Sequence, residues 1–141
     1  MILPDVNVLV YALRPDSANH TQCLRWLTGV LESNAPYGIS AQVLASVVRV
    51  ATNRRIFENP EPLETALLFV EKVMDEANCQ LIEPGPDHWR IFCELCRRSK
   101  AEGNLVQDAW FAALAIESGC EWITFDRDYA RFEGLRWRMP L

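Results

Sequence analysis

The strongest constraint on this chain lies in its first eleven residues, Met1-Ile2-Leu3-Pro4-Asp5-Val6-Asn7-Val8-Leu9-Val10-Tyr11, an apolar run with Asp5 and Asn7 at its centre. A short run so rich in aliphatic and β-branched residues reads as a buried strand. On a strand, residues two apart share a face, so Asp5 and Asn7 converge on one spot. If the strand instead gives way to a loop there, both lie at its C-terminal end, where open parallel sheets place their ligands. A carboxylate in such a run must be paired, protonated or bound to a metal, because burying it uncompensated is costly. The plainer alternative is a turn Asp followed by an Asn cap, and only the rest of the chain decides between them.

At 141 residues the chain is expected to form a single domain, residues 1–141, with a substantial core. Half of its residues are hydrophobic and 23% are charged, which is globular rather than disordered composition. No apolar run approaches the ~18–20 residues that span a bilayer. The start lacks the basic segment and cleavage site of a signal peptide, so cytoplasmic residence is the expectation. Five cysteines without framework spacing read as reduced thiols, and Cys93-x-x-Cys96 has no second ligand pair to complete a zinc site. A net charge of −5 excludes binding of nucleic acid through bulk charge. It leaves room for a nuclease with acids in a cleft and arginines on its rim, and the arginines do come in groups around Arg49, Arg54 and Arg55, around Arg97 and Arg98, and from Arg127 to Arg138.

Helical patterns follow from His20 to Glu32, from Ala41 to Thr52 behind a Ser40 cap, from Leu63 to Glu76, from Asp87 to Lys100 and from Leu105 to Ser118, the last stopped by Gly119. Short strands are predicted at Tyr37–Ile39, Gln80–Glu83 and Glu121–Phe125, with a final one around Leu135–Trp137. Strands alternating with helices imply an α/β fold, a central, mostly parallel sheet flanked by helices on both faces.

Within that fold the acids stand out by position. Asp5 belongs to the first strand, Asp108 opens an Ala-rich helix able to approach a sheet closely, and Asp126 and Asp128 directly follow a strand. If these carboxylates meet at one crevice, their repulsion calls for Mg²⁺ or Mn²⁺, with Asn7 and Thr124 as supporting donors. Such an ion suits hydrolytic phosphodiester chemistry. Zinc does not fit, because neither His20 nor His88 lies in a ligand motif.

Hydrophobic-Asp5-x-Asn7, Gln107-Asp108-Ala109-Trp110 and Thr124-Phe125-Asp126-Arg127-Asp128-Tyr129, taken with Arg49-Val50-Ala51-Thr52-Asn53-Arg54-Arg55-Ile56-Phe57, resemble the PIN-domain ribonucleases, and among them the VapC-type toxins of bacterial toxin–antitoxin pairs. The likeness covers nearly the whole chain. It implies a PIN-like, Rossmann-like three-layer fold and a Mg²⁺- or Mn²⁺-dependent endoribonuclease. It also implies a homodimer and neutralisation by a VapB-type antitoxin. Asp5, Asp108 and Asp126 match the family's metal-binding acids, Asp128 an assisting position, and Asn7 and Thr124 the supporting polar positions. Arg49 and Arg54 are candidates for RNA phosphates.

One departure stands out. Many family members carry a Glu three residues before the helix arginine, and Ser46 occupies that place here. Glu58 or Glu61 would replace it only if the following loop folds back. A degenerate PIN domain that binds RNA or antitoxin without cutting is therefore a second reading. A haloacid-dehalogenase-like phosphatase is a third, though neither Lys72 nor Lys100 lies in a suitable phosphate-binding motif.

Overall fold

The computed structural model describes residues 1–141. Its strands are short and its helices carry the bulk of the chain. Strand β1 (Ile2–Pro4) leads into α1 (Val6–Leu13) and α2 (His20–Glu32), then β2 (Tyr37–Ile39), α3 (Ala41–Ala51) and α4 (Leu63–Met74). Strand β3 (Cys79–Leu81), α5 (His88–Ser99), α6 (Asn104–Ser118), β4 (Glu121–Ile123) and β5 (Trp137–Arg138) complete it. Every ladder is parallel, β1 with β4, β4 with β5, and β2 with β3. The two ladders abut through β1 and β2. This is the α/β architecture anticipated from the sequence, with parallel strands flanked by six helices.

The opening run departs from its strand reading. Only Ile2–Pro4 is extended, and Val6–Leu13 is helical, with Val8, Leu9, Val10 and Ala12 buried. A helix buried on most sides shows no polar stripe, so its apolar run is indistinguishable from a core strand by periodicity. Asp5 settles the boundary locally, because its carboxylate accepts the Val6 N–H at 2.6 Å and caps the helix. The remaining helices lie within two residues of their predicted ends. Trp137–Arg138 replaces the strand expected around Leu135–Trp137, and the turn after Asp126 is a short 3-10 helix, Arg127–Arg131.

Both histidines are consumed by packing. His88 is fully buried, with Nε2 3.0 Å from the Trp110 carbonyl oxygen, and His20 Nδ1 lies 2.9 Å from that of Tyr11. All five cysteines are free thiols. Arg14 is a buried cation, held by Asp16 at 2.8 Å and Glu61 at 3.6 Å and lying over the Phe57 ring. That cluster ties the segment after α3 to the end of α1.

Gly38 sets the spacing at the seam between the ladders. A Cβ placed there would stand 2.8 Å from Cγ1 of Ile82 and 3.2 Å from the Ile2 carbonyl oxygen. The Gly38→Ala variant is therefore expected to lose about 1–3 kcal/mol of stability, the usual cost of overpacking. Urea denaturation checks it, and an unchanged midpoint contradicts it.

Candidate active site

The parallel register of β1 and β4 builds the site. Pro4 lies opposite Ile123, so the next residues along each strand, Asp5 and Thr124, emerge side by side at the C-terminal ends. The Asp5 N–H donates to the Ile123 carbonyl at 2.9 Å, continuing the ladder by one step. Asp5 is 6% exposed and Thr124 fully buried. The Thr124 hydroxyl donates to Asp5 Oδ2 at 2.6 Å, while Oδ1 caps α1. Both oxygens of one carboxylate are thus fixed, one by a strand neighbour and one by a helix.

Asn7 completes the lock from the first turn of α1. Its Nδ2 lies 3.2 Å from both Asp5 Oδ2 and Thr124 Oγ1, and its Oδ1 accepts the Phe125 N–H at 3.3 Å. Thr124 Oγ1 also accepts the Asp126 N–H at 3.0 Å, and Asp126 Oδ1 accepts the Asp128 N–H at 2.9 Å. Asn7 and Thr124 thus both bond to Asp5, and Asn7 reaches it across a helix cap rather than along a strand face.

Asp108 arrives from α6. This helix feeds β4 through Gly119, whose φ of 71° suits glycine, so α6 starts at the end of the sheet where β4 finishes. Ala109, Ala112, Ala113 and Ala115 are all buried and let the helix pack closely. The buried Tyr129 hydroxyl donates to Asp108 Oδ1 at 3.3 Å. Residue-type reasoning missed Tyr129. Its only signal was an aromatic three residues after Asp126, which looks like core.

The three acids act on one another through their charges. Burial pushes the Asp5 carboxyl up to about 6; the Thr124 and Val6 donors pull against it, while Asp108 and Asp126 add to the rise. Asp108 is likewise raised to about 6, first by burial and then by Asp126, with the Tyr129 hydroxyl opposing. Tyr129 itself is raised, by burial and then by the charges of Asp5, Asp108 and Asp126. No lysine or arginine pairs with Asp5, Asp108 or Asp126.

The other candidates make no side-chain bond to these three acids, although the charge of Asp128 also raises Asp108. Asp128 is exposed and faces Arg131 at 3.9 Å. Arg49, in the last turn of α3, and Arg54, beyond it, are exposed and bond to none of the three acids. Ser46 sits partly buried on α3. Glu61 turns to Arg14, and Glu58 lines a hollow with Thr52, Arg54 and Asn59, so neither takes the place of the missing acid.

The family profile of the PIN domain matches residues 2–135. Ribonuclease VapC43 of Mycobacterium tuberculosis is 39% identical over 141 residues, covering 100% of this chain and 96% of that one. Ribonuclease VapC25 of the same organism is 40% identical over 140 residues, covering 99% of each. The chain belongs to the VapC ribonucleases of the PIN-domain family. Solved structures agree on the fold of this VapC chain. VapBC2 from Rickettsia felis superposes with a TM-score of 0.68 at 19% identity, covering 99% of this chain and 98% of that one. VapC20 of M. tuberculosis, described as a toxin cleaving the sarcin–ricin loop, gives 0.64 at 16% identity, with 96% and 99% covered.

The raised carboxyls have a stability consequence with a definite sign. Between the ordinary value of 3.8 and about 6, native Asp5 and Asp108 hold protons that the unfolded chain has released. Stability of the metal-free VapC chain therefore falls as pH rises through that window and stays low above it. Asp108→Asn removes one repelling charge. It is expected to gain on the order of 1 kcal/mol at pH 7.5 after solvent screening of this half-exposed group, and nothing at pH 4. Thermal melts in EDTA at the two pH values measure this, and an equal shift at both contradicts it.

Proposed function

We propose that Asp5, Asp108 and Asp126 together hold a divalent cation, Mg²⁺ or Mn²⁺, and that this VapC chain uses it to hydrolyse RNA phosphodiester bonds. The observation that carries the reading is three carboxylates drawn to one end of the sheet, with no cationic side chain paired to them. The donor set is hard oxygen, which suits these ions and not zinc. In this structure no three acidic, histidine or cysteine side chains stand close enough together to enclose an ion, so water would have to complete the shell of any cation held here.

Bound there, the cation supplies a water of lowered pKa and neutralises charge on the phosphate. The chain's own residues do the positioning. Thr124 and the Val6 N–H keep Asp5 in one rotamer, Asn7 bridges Asp5 to the Phe125 backbone, and the Thr124 oxygen fixes the backbone of Asp126. Asp128, exposed two residues beyond Asp126, adds negative potential to Asp108. Arg49 and Arg54 offer exposed charges to RNA phosphates along and beyond the end of α3. An unpaired strand is the substrate that fits, because protein readers of RNA sequence need splayed bases.

The same reading makes the chain the toxin of a toxin–antitoxin pair, a homodimer restrained by a VapB-type antitoxin. Its support is membership of the VapC family and a fold shared with VapBC assemblies such as that of Haemophilus influenzae. No helix is long and apolar enough to cross a membrane. Ser46 favours a second reading, a PIN domain that binds RNA without cutting it, since neither Glu58 nor Glu61 restores the acid.

Incubation of antitoxin-free protein with total RNA and Mn²⁺ separates the two. Cleavage is expected with metal, abolished by EDTA or Asp5→Ala, and falling off below about pH 6 as Asp5 and Asp108 take up protons. Thr124→Val is expected to cost about 10–100-fold in metal affinity or activity, the usual effect of losing a partner that orients a ligand. Cutting that survives EDTA or Asp5→Ala would sink the assignment, and binding without cutting would select the second reading.

A further inference from the structure

Between α3, α5 and α6 lies a concave feature that shares no lining residue with the three carboxylates. Gln42 of α3, Phe92 of α5 and Val106, Gln107 and Trp110 of α6 line a cavity of about 250 Å³. Gln107 immediately precedes Asp108 on α6, so the cavity and one of the acids are carried by the same helix. Its walls are aromatic. Trp110 packs against Phe92 with ring centres 5.4 Å apart, and against buried His88 at 4.2 Å, while His88 Nε2 also lies 3.0 Å from the Trp110 carbonyl oxygen. Trp89 extends the surface outward, 5.4 Å from Phe92 and 65% exposed. The polar groups at the cavity are the exposed amides of Gln42 and Gln107, arriving from two different helices.

No charged side chain lines this space, so it is not built for a phosphate. An α-helix, about 10–12 Å across with its side chains, is too wide for it. What matches is a neutral planar group with a hydrogen-bonding edge. A glutamine amide carries both donors and an acceptor, the complement of a base edge, and aromatic faces accept any base by stacking. We propose that this cavity is a nucleobase subsite, holding one unpaired base of an RNA strand against Trp110 and Phe92, with Gln42 and Gln107 reading its edge. The subsite rests on the ribonuclease reading of the neighbouring carboxylates, because that reading brings an RNA strand to Asp108. It places base selection on α3, α5 and α6, away from the acids themselves.

The test is binding in EDTA, so that its outcome does not depend on cleavage. Fluorescently labelled single-stranded hexaribonucleotides carrying each of the four bases are compared with an abasic hexamer of the same backbone. Stacking of one base is worth ~1–3 kcal/mol, so base-bearing strands are expected to bind about 5–150-fold more tightly than the abasic one. Phe92→Leu is expected to shrink that ratio. The Gln42→Ala, Gln107→Ala double variant, altered only at exposed amides, is expected to level the preference among the four bases while keeping the abasic penalty. Equal affinity for base-bearing and abasic strands overturns the proposal, as does a base preference that survives the double variant. A parallel titration follows the side-chain amide resonances of Gln42 and Gln107 with uridine and adenosine monophosphates and with N-acetyltryptophanamide. Shifts with a nucleotide support the subsite. Shifts with the tryptophan analogue alone make the cavity a pocket for a protein partner's side chain and overturn it. Base discrimination in EDTA without metal-dependent cleavage sinks the catalytic reading and spares the subsite, whereas cleavage without base discrimination does the reverse.

Discussion

One carboxylate, that of Asp5, joins the two ends of the chain. Its Oδ1 caps α1 and its Oδ2 takes the Thr124 hydroxyl from the end of β4, a residue 119 positions away. Two orphan demands are met at once, the unsatisfied N–H at a helix start and the hydroxyl of a fully buried threonine. The chain must bring β1 and β4 into parallel register for this to happen, and that register in turn puts Asp126 beside the pair. Fold and site here share one set of hydrogen bonds.

That economy has an electrostatic cost. Desolvation and the neighbouring acids raise Asp5 and Asp108 by roughly two pH units, against donors that pull the other way. Each donor removed would leave its carboxylate either protonated or more strongly repelled. The buried hydroxyls of Thr124 and Tyr129 therefore serve stability as well as geometry. They supply hydrogen bonds without positive charge, so the negative potential around these acids is kept. A buried arginine would have neutralised the cleft permanently. The chain places its buried arginine, Arg14, elsewhere, against Asp16, Glu61 and Phe57.

Much of this was legible in the residues, for reasons that also explain what was not. The helices α2 to α6 announce themselves through amphipathic stripes, the Ser40 cap and the Gly119 stop, all of them local signals. That Asp5, Asn7 and Thr124 would be hydrogen-bonded was readable, because polar groups set in apolar runs demand partners. The helical state of Val6–Leu13 was not readable, since a segment buried on most sides carries no period. Nor was the Tyr129–Asp108 contact, because it depends on how α6 is laid against the turn after β4. The aromatic cavity was hidden for the same reason. Its residues come from α3, α5 and α6, and the indole of Trp110 looks like ordinary core until the exposed Gln42 and Gln107 are seen at its edge.

Ser46 gives the site its particular balance. A fourth acid on α3 would add a repelling charge to a cluster in which two carboxyls already sit near 6. Ser46 in that place spares the metal-free fold such added repulsion. Three carboxylates remain, and they are not equally free. Asp5 has both oxygens engaged by the protein, Asp108 has one taken by Tyr129, and Asp126 has one taken by the Asp128 backbone. The uncommitted oxygens thus lie on Asp108 and Asp126, the acids on the solvent side of the cluster, while Asp5 forms its buried floor. Asp108 and Asp126 therefore carry the oxygens left free on the solvent side, whereas the protein keeps those of Asp5 for its own fold.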